Sequence, residues 1–431
     1  MADRPNVLWL SVHDLNTHLG CMGNPVVKSP NIDRLAERGR LFKNHVCNYP
    51  LCGPSRASML TGKRPDTTQV LDNLVWFRDT LPGVVTLPAH FRANGYRTAK
   101  RGAFFHGGLD DEEAWNEGAT ATGPKGARTP EQQVERESRA DRFEPDEEDL
   151  GDARTADWAI EMLENDHQER FFVAAGFSKP HVPLTVPKAY FDLYKEEDIQ
   201  LPEQNPAAKS NAPSQALRPN FDIFIRREAE DEAEARRAIL AYYACISFLD
   251  AQIGRILDTV DRLGLWDNTV VVFQSDHGFH LGEYGLWSKM TLFEASVRVP
   301  VILVVPGMSS PGQPTQRLSE HVDLFPTLVE VCGLPRVAGL EGSSLSGLLE
   351  DPGKPWKRAV FSQVRRGEGM GRMARTEGWH YNRWEPNGEE ELYQIGSDPF
   401  QLRNVANENP QELSAMRKVL DGGWQDAVPS P

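Results

Sequence analysis

The sequence has little cysteine. Its five (Cys21, Cys47, Cys52, Cys245 and Cys332) are odd in number and include no C-x-x-C pair, which excludes a disulfide scaffold and a zinc ribbon. It lacks an excess of positive charge: 47 Lys and Arg stand against 62 Asp and Glu, a formal net charge of −15. That balance argues against nucleic acid or an anionic membrane as a partner. No apolar run is long enough to span a bilayer, and no internal repeat is evident. No basic, apolar leader is visible either, since MADRP passes directly into the strand-like NVLWLS. The expectation is a cytoplasmic location, or a periplasmic or secreted one if the sequence has been trimmed.

What is present reads as an α/β protein. At 431 residues the chain is too long for one simple core, so a large domain (1–354) and a smaller one (355–431) are expected. Five short apolar runs read as buried strands: Val7–Val12, Arg97–Ala99, Phe171–Ala175, Thr269–Phe273 and Val299–Val305. Helical patterns separate them, which points to a sheet covered on both faces. Helices are predicted over Asn31–Arg38, Thr86–Asn94, Asp231–Leu263 and Leu324–Cys332. In the longest, Ile239, Tyr242, Tyr243, Ile246, Leu249, Ile253, Ile256 and Val260 form one apolar stripe, read as core packing. Residues 107–150 and 198–222 show no periodicity and read as long loops. Beyond Pro355, AVFSQV, GWHYNRW and EELYQI read as short antiparallel strands, the first two joined by a Gly/Arg-rich turn.

Polar groups follow the strands. His13-Asp14 closes the first, Lys179-Pro180-His181 the third and Ser275-Asp276-His277 the fourth, while the second runs towards His106. In open α/β sheets the ligand lies beyond the carboxyl ends of the strands, so these groups are expected to converge in one crevice. A single His-Asp pair is more often a turn or a cap. Two such pairs after two buried strands suit a divalent ion. Lys289, twelve residues after His277, is either a surface lysine or an anion clamp reaching back.

Cys52 stands in LCGPSRASMLTG, where Pro54 fits the first turn of a helix that runs to Gly62. A free cysteine is usually a small buried hydrophobe. This one sits at a helix N-terminus, in positive potential, with the donor fork of Arg56 one turn on. It therefore faces an anion, beside the expected metal.

The C-x-P-S-R, A-S-x-L-T-G stretch resembles the signature of type I sulfatases, in the alkaline-phosphatase superfamily. The resemblance extends to PNVLWLSVHDL, SPNIDRLAERGRLFKN, GKRPDTTQV, SKPHVPLTVPKAY, SDHGFHLGEYGLWSKM and VDLFPTL. SKPHVPL and LGEYGLWSK look most like the iduronate-2-sulfatase branch. The resemblance implies an alkaline-phosphatase-like domain, with a mixed, mostly parallel sheet between helices, and a C-terminal domain carrying a short antiparallel sheet. It implies that a formylglycine-generating enzyme oxidises Cys52 to formylglycine, whose hydrate is the nucleophile. Arg56 would polarise that hydrate, His106 would hydrogen-bond one of its hydroxyls, and Lys289 and His181 would contact the sulfate. His181 would also protonate the leaving alcohol. Asp14, Asp276, His277, Cys52 and the residue at 13 would bind one divalent cation, usually calcium.

Two positions depart from the family pattern. Where the family writes Asp-Asp, this chain has His13-Asp14, which either softens the site towards manganese or zinc or means that His13 has left the coordination sphere. Where it writes Gly-Lys, this chain has Gly102-Ala103, and Lys100 or Arg101 is left as a stand-in or as an exposed residue. Three functions follow: a sulfatase acting on a small organic or saccharide sulfate ester, including a 2-O-sulfated uronate; a phosphodiester or phosphonate monoester hydrolase; or a non-catalytic binding protein on the same fold.

Overall fold

The computed structural model describes residues 4–119, 150–166, 169–205, 211–217 and 231–428. Its strands are β1 (Asn6–His13), β2 (Arg40–Val46), β3 (Arg97–Gly102), β4 (Glu117–Ala119), β5 (Phe171–Pro180), β6 (Thr269–Ser275), β7 (His280–Leu281), β8 (Trp287–Ser288), β9 (Arg298–Val304), β10 (Thr315–Glu320), β11 (Val360–Arg366), β12 (Gly369–Arg375), β13 (Trp379–Glu385) and β14 (Glu389–Gln394).

Eight strands form the large sheet, in the order β10-β2-β9-β6-β1-β5-β3-β4. Among the described residues, only β9 runs against its neighbours; every other pairing is parallel. The sheet is thus mixed and mostly parallel, as expected. Every residue of β1 and of β6 is buried, because helices cover both faces. One face packs under Gly151–Asp166 and the long Glu232–Arg262; the other packs Trp9, Phe42, Phe172 and Val272 under the helices Cys52–Thr61 and Leu324–Val331. Asp250 of the long helix accepts from the backbone N–H groups of Asn31 and Ile32, at 3.0 and 2.8 Å, and so satisfies the first turn of Pro30–Arg38.

The consequence of this topology is a single functional edge. The carboxyl ends of β1, β2, β3, β5, β6 and β10 lie on the same side, and the antiparallel β9 begins there. At that edge β3 and β5 approach unusually closely. Gly102 has φ +81°, and a Cβ there would stand 1.9 Å from the Gly176 carbonyl oxygen. Only glycine serves both conditions.

The second sheet is an antiparallel meander, β11-β12-β13-β14, with Pro410–Gly422 packed on it. The Gly/Arg-rich stretch expected as a turn is largely strand β12: GMGRMAR pairs along its length with β11 and β13. The two sheets share a core in which Val46, Tyr49 and Leu292 meet Val360, Met373 and Trp384. Much of the two loops expected at 107–150 and 198–222 lies outside the described residues. The part that is described includes β4, which extends the sheet, and a 3-10 turn at Glu112–Ala114. Among the described residues, no helix is long and apolar enough to cross a membrane.

Candidate active site

Strand ends deliver Asp14, His181, Asp276 and His277, while Cys52 and Arg56 lie on a helix. Asp14 follows β1 in a left-handed conformation (φ 58°), which turns its carboxylate across the edge of the sheet. Tyr242, read from the sequence as core, fixes that turn: its hydroxyl donates to the Asp14 carbonyl at 2.6 Å and accepts from Asn16 N–H at 2.9 Å. Asp276 and His277 follow β6, and the Asp276 Oδ1 accepts from the backbone N–H groups of Asp14 and His277, both at 3.0 Å. Cys52 opens the helix Cys52–Thr61 after extended Leu51, with Pro54 in the first turn and left-handed Gly62 at the end. Lys289 follows the small β7–β8 hairpin. Ser288 and Met290 on either side of it both have positive φ (72° and 66°), and Met290 N–H donates to the Pro50 carbonyl at 3.1 Å.

Side-chain atoms of Asp14, Cys52, Asp276 and His277 all lie within 4.8 Å of one another, and all four residues are buried. The His277 ring defines what this group lacks. Its Nδ1 is 3.0 Å from the Gly278 carbonyl, which can only accept, so Nδ1 carries the hydrogen. In the neutral ring, Nε2 therefore points a lone pair at Cys52 Sγ (3.3 Å), Asp14 Oδ1 (3.4 Å) and Asp276 Oδ2 (3.7 Å). Acceptors facing acceptors in a buried space favour a proton or a cation between them. Two carboxylates and an imidazole whose other nitrogen is tied to a carbonyl fit a divalent ion. Burial opposes a charge on His277, but Asp276, Cys52 and Asp14 together outweigh it and push the His277 pKa up to about 9.

Cations surround the anionic positions. Lys289 Nζ donates to both Asp14 oxygens and to Cys52 Sγ, at 3.4 Å. Arg56 donates from Nε (3.1 Å) and Nη2 (2.7 Å) to Asp276 Oδ2, and from Nη1 to the Phe105 carbonyl (3.0 Å). Burial works against a thiolate at Cys52. The charges of Lys289 and His277 and a hydrogen bond from His106 overcome it, holding the thiol well below its ordinary range. Among the described residues, His106 Nδ1 is buried without a hydrogen-bond partner. His181 stands at the mouth, about one-third exposed, with Nε2 3.9 Å from Asp14 Oδ2 and Nδ1 2.6 Å from the Val182 carbonyl.

His13 stands apart from the four grouped residues. Its Nε2 faces Arg56 Nη2 and lies 3.4 Å from the Ala103 carbonyl, so the fifth expected ligand is placed as the arginine's partner. Burial and the Arg56 charge hold it well below the usual histidine range, as a neutral acceptor. Lys100 does not stand in for the lysine absent at 103: it is buried, paired with Asp110 and set 5.6 Å over the Trp115 ring. Arg101 projects to the opposite face of β3. Sequence reasoning missed the roles of Tyr242, of Ser55 and His321, which contact the Asp276 carbonyl, and of His45, which contacts His321. Tyr242 sits within a periodic apolar stripe, Ser55 lies in the C-x-P-S-R stretch without a role of its own assigned to it, and His45 and His321 lie outside every quoted motif.

A family model described as Sulfatase matches residues 5–334, and a second, N-sulphoglucosamine sulphohydrolase C-terminal, matches residues 282–421. The chain is 32% identical to iduronate 2-sulfatase of Homo sapiens, with 95% of this chain and 92% of that protein covered. Its fold matches a protein solved in complex with its substrate D-glucosamine-2-N,6-O-disulfate, at TM-score 0.82 and 22% identity, over 98% of this chain and 99% of that one. It also matches the phosphonate monoester hydrolase of Agrobacterium radiobacter, at TM-score 0.78 and 22% identity, over 97% and 95% of the two chains. Buried donors for a cation, a cysteine at a helix mouth and flanking cations are thus carried on a fold shared along nearly its whole length. The chain belongs to the sulfatase family, on its iduronate-2-sulfatase-like branch, and is an enzyme that hydrolyses sulfate esters.

Proposed function

We propose that the enzyme removes sulfate from a saccharide sulfate ester, a 2-O-sulfated uronate or related sugar, through a formylglycine hydrate generated at position 52. The observation that carries this reading is the convergence of Asp14, Cys52, Asp276 and His277 within 4.8 Å, bracketed by Lys289 and Arg56. Asp14, Asp276 and His277 would hold a divalent ion together with the group at 52. When bound, that ion neutralises charge on the sulfate oxygens.

The residues of the chain supply the remaining steps. Lys289 spans Asp14 and position 52, so its ammonium meets a sulfate approaching the nucleophile. One hydroxyl of the hydrate gives its proton to the Asp276 carboxylate, within 4.8 Å of position 52, and its oxygen forms a bond to sulfur as the bond from sulfur to the leaving alkoxide breaks. His181 Nε2, exposed at the mouth, gives that alkoxide a proton. The second hydroxyl then gives its proton to His106, which hydrogen-bonds position 52. Its oxygen forms the carbonyl, the carbon–oxygen bond to sulfate breaks, and the aldehyde is regenerated. Water rehydrates it, so the net reactants are one ester and one water.

The donor set also suits a phosphorus ester, and a phosphonate monoester hydrolase shares the fold. Turnover of matched aryl sulfate, phosphodiester and phosphonate substrates with calcium, manganese and zinc separates the two. A preference for the sulfate, and for sulfated uronates among sugars, is expected. Preference for the phosphorus esters would overturn the sulfate reading.

A further inference from the structure

The main-chain carbonyl of Asp276 accepts two side-chain hydrogen bonds. One comes from Ser55 Oγ, on the helix that carries Cys52, and the other from His321 Nε2 at 2.9 Å. Behind His321 the contacts continue. His321 Nδ1 lies 2.9 Å from His45 Nε2, and His45 Nδ1 lies 2.9 Å from Ser319 Oγ. All of these side chains are fully buried.

The end of this chain fixes every proton in it. A carbonyl only accepts, so His321 carries its hydrogen on Nε2. A neutral ring then offers a lone pair at Nδ1, and His45 must donate from Nε2. His45 Nδ1 accepts in turn from the Ser319 hydroxyl. Any other assignment of neutral rings sets two hydrogens or two lone pairs against each other in a buried space. The relay is therefore directional, running from Ser319 to Asp276.

The fold explains how it crosses the sheet. His45 of β2 and Ser319 of β10 are direct partners in register, and His321 is the first residue past β10. Asp276 is the first residue past β6, on the far side of β9. The relay thus ties the sheet edge to the peptide from which both the Asp276 carboxylate and the His277 ring project. Together with Ser55, it holds that peptide from two directions. One hydrogen bond would satisfy the carbonyl; two fix the peptide plane.

We infer that His321, oriented by His45 and Ser319, is a positioning residue for the Asp276–His277 pair and sets the affinity of the cation site. This rests on the proposed reading of that site as a divalent centre. The test is calorimetric titration of the purified full-length chain with calcium and with manganese, paired with metal-free thermal unfolding. In His321→Ala the metal Kd is expected to rise about 10–100-fold, the range typical of lost outer-shell partners. His321→Gln, whose amide can donate to the same carbonyl, is expected to recover most of that affinity. Nitrogen-15 spectra of the wild-type histidines should place the hydrogens of His45 and His321 on Nε2. If His321→Ala does not fold, Ser319→Ala removes only the distal donor, and a smaller rise in Kd is expected. A wild-type chain that binds metal, with the Ala variants matching its Kd, overturns the relay and leaves the metal centre standing. A wild-type chain that titrates with neither metal overturns both.

Discussion

Lys289 Nζ lies 2.8 and 2.9 Å from the two carboxylate oxygens of Asp14, with both side chains buried. The same ammonium reaches Cys52 Sγ, so one cation joins a candidate metal ligand to the proposed nucleophile position. Lys289→Met keeps the length of the side chain and removes its charge. The kcat/KM for an aryl sulfate is expected to fall about 10²–10³-fold, as for loss of one donor to a developing oxyanion. A change confined to the melting temperature would remove Lys289 from the reaction.

In the proposed mechanism His181 protonates the departing oxygen, a role that depends on the leaving group. With a sugar or alkyl sulfate, His181→Ala is expected to lower kcat about 10²–10⁴-fold. With an aryl sulfate whose phenolate leaves unaided, the loss should be much smaller. Equal losses on both substrates would assign His181 to binding alone.

Arg56 is 1% exposed and its fork serves Asp276, Phe105 and His13 at once. Arg56→Met leaves a buried carboxylate without its partner and is expected to destabilise the apo protein by about 3–5 kcal/mol. Arg56→Lys keeps the charge but not the fork, so stability should recover further than turnover. Chemical unfolding beside steady-state kinetics reads both. Wild-type turnover in Arg56→Lys would contradict a positioning role for the guanidinium.

Away from the site, Glu294 ties the two sheets together. Its carboxylate accepts from Arg375 Nε at 2.7 Å and contacts His380 Nδ1 at 3.1 Å and Arg298 Nε at 3.2 Å. Burial alone would raise its pKa, but Arg375 and the hydrogen bond from His380 hold it well below the glutamate range. A depressed folded-state pKa stabilises the fold above the unfolded value, about 4.3, and that contribution fades as the pH falls below it. Glu294→Gln is therefore expected to lower stability at pH 7 and to flatten the acid limb of a urea-unfolding series from pH 7 to 3. An unchanged limb would remove Glu294 from the acid response.

The sequence disclosed the parts of the fold that are buried on both faces. β1 and β6 read as unbroken apolar runs because helices cover both sides of them. β2 and β10 did not: Lys43 and Asn44 interrupt RLFKNHV at half-exposed positions, and TQRLSE lies at the sheet edge. The missed strands are also those that deliver His45 and His321. The candidate site was legible because residues following parallel strands must share one edge, which brought Asp14, His106, His181, Asp276 and His277 together before any coordinates. The direction of a side chain was not legible. His13 faces Arg56, and His45 meets His321 across 276 residues of sequence, contacts that no local pattern encodes.

The central claim is that position 52 acts as an aldehyde hydrate. The most direct measurement is mass spectrometry of the peptide containing Cys52, made on preparations of graded sulfatase activity obtained with and without a co-expressed formylglycine-generating enzyme. The account predicts that the aldehyde replaces the thiol and that specific activity rises in proportion to its fraction. Full activity from protein carrying only the unmodified thiol would contradict it.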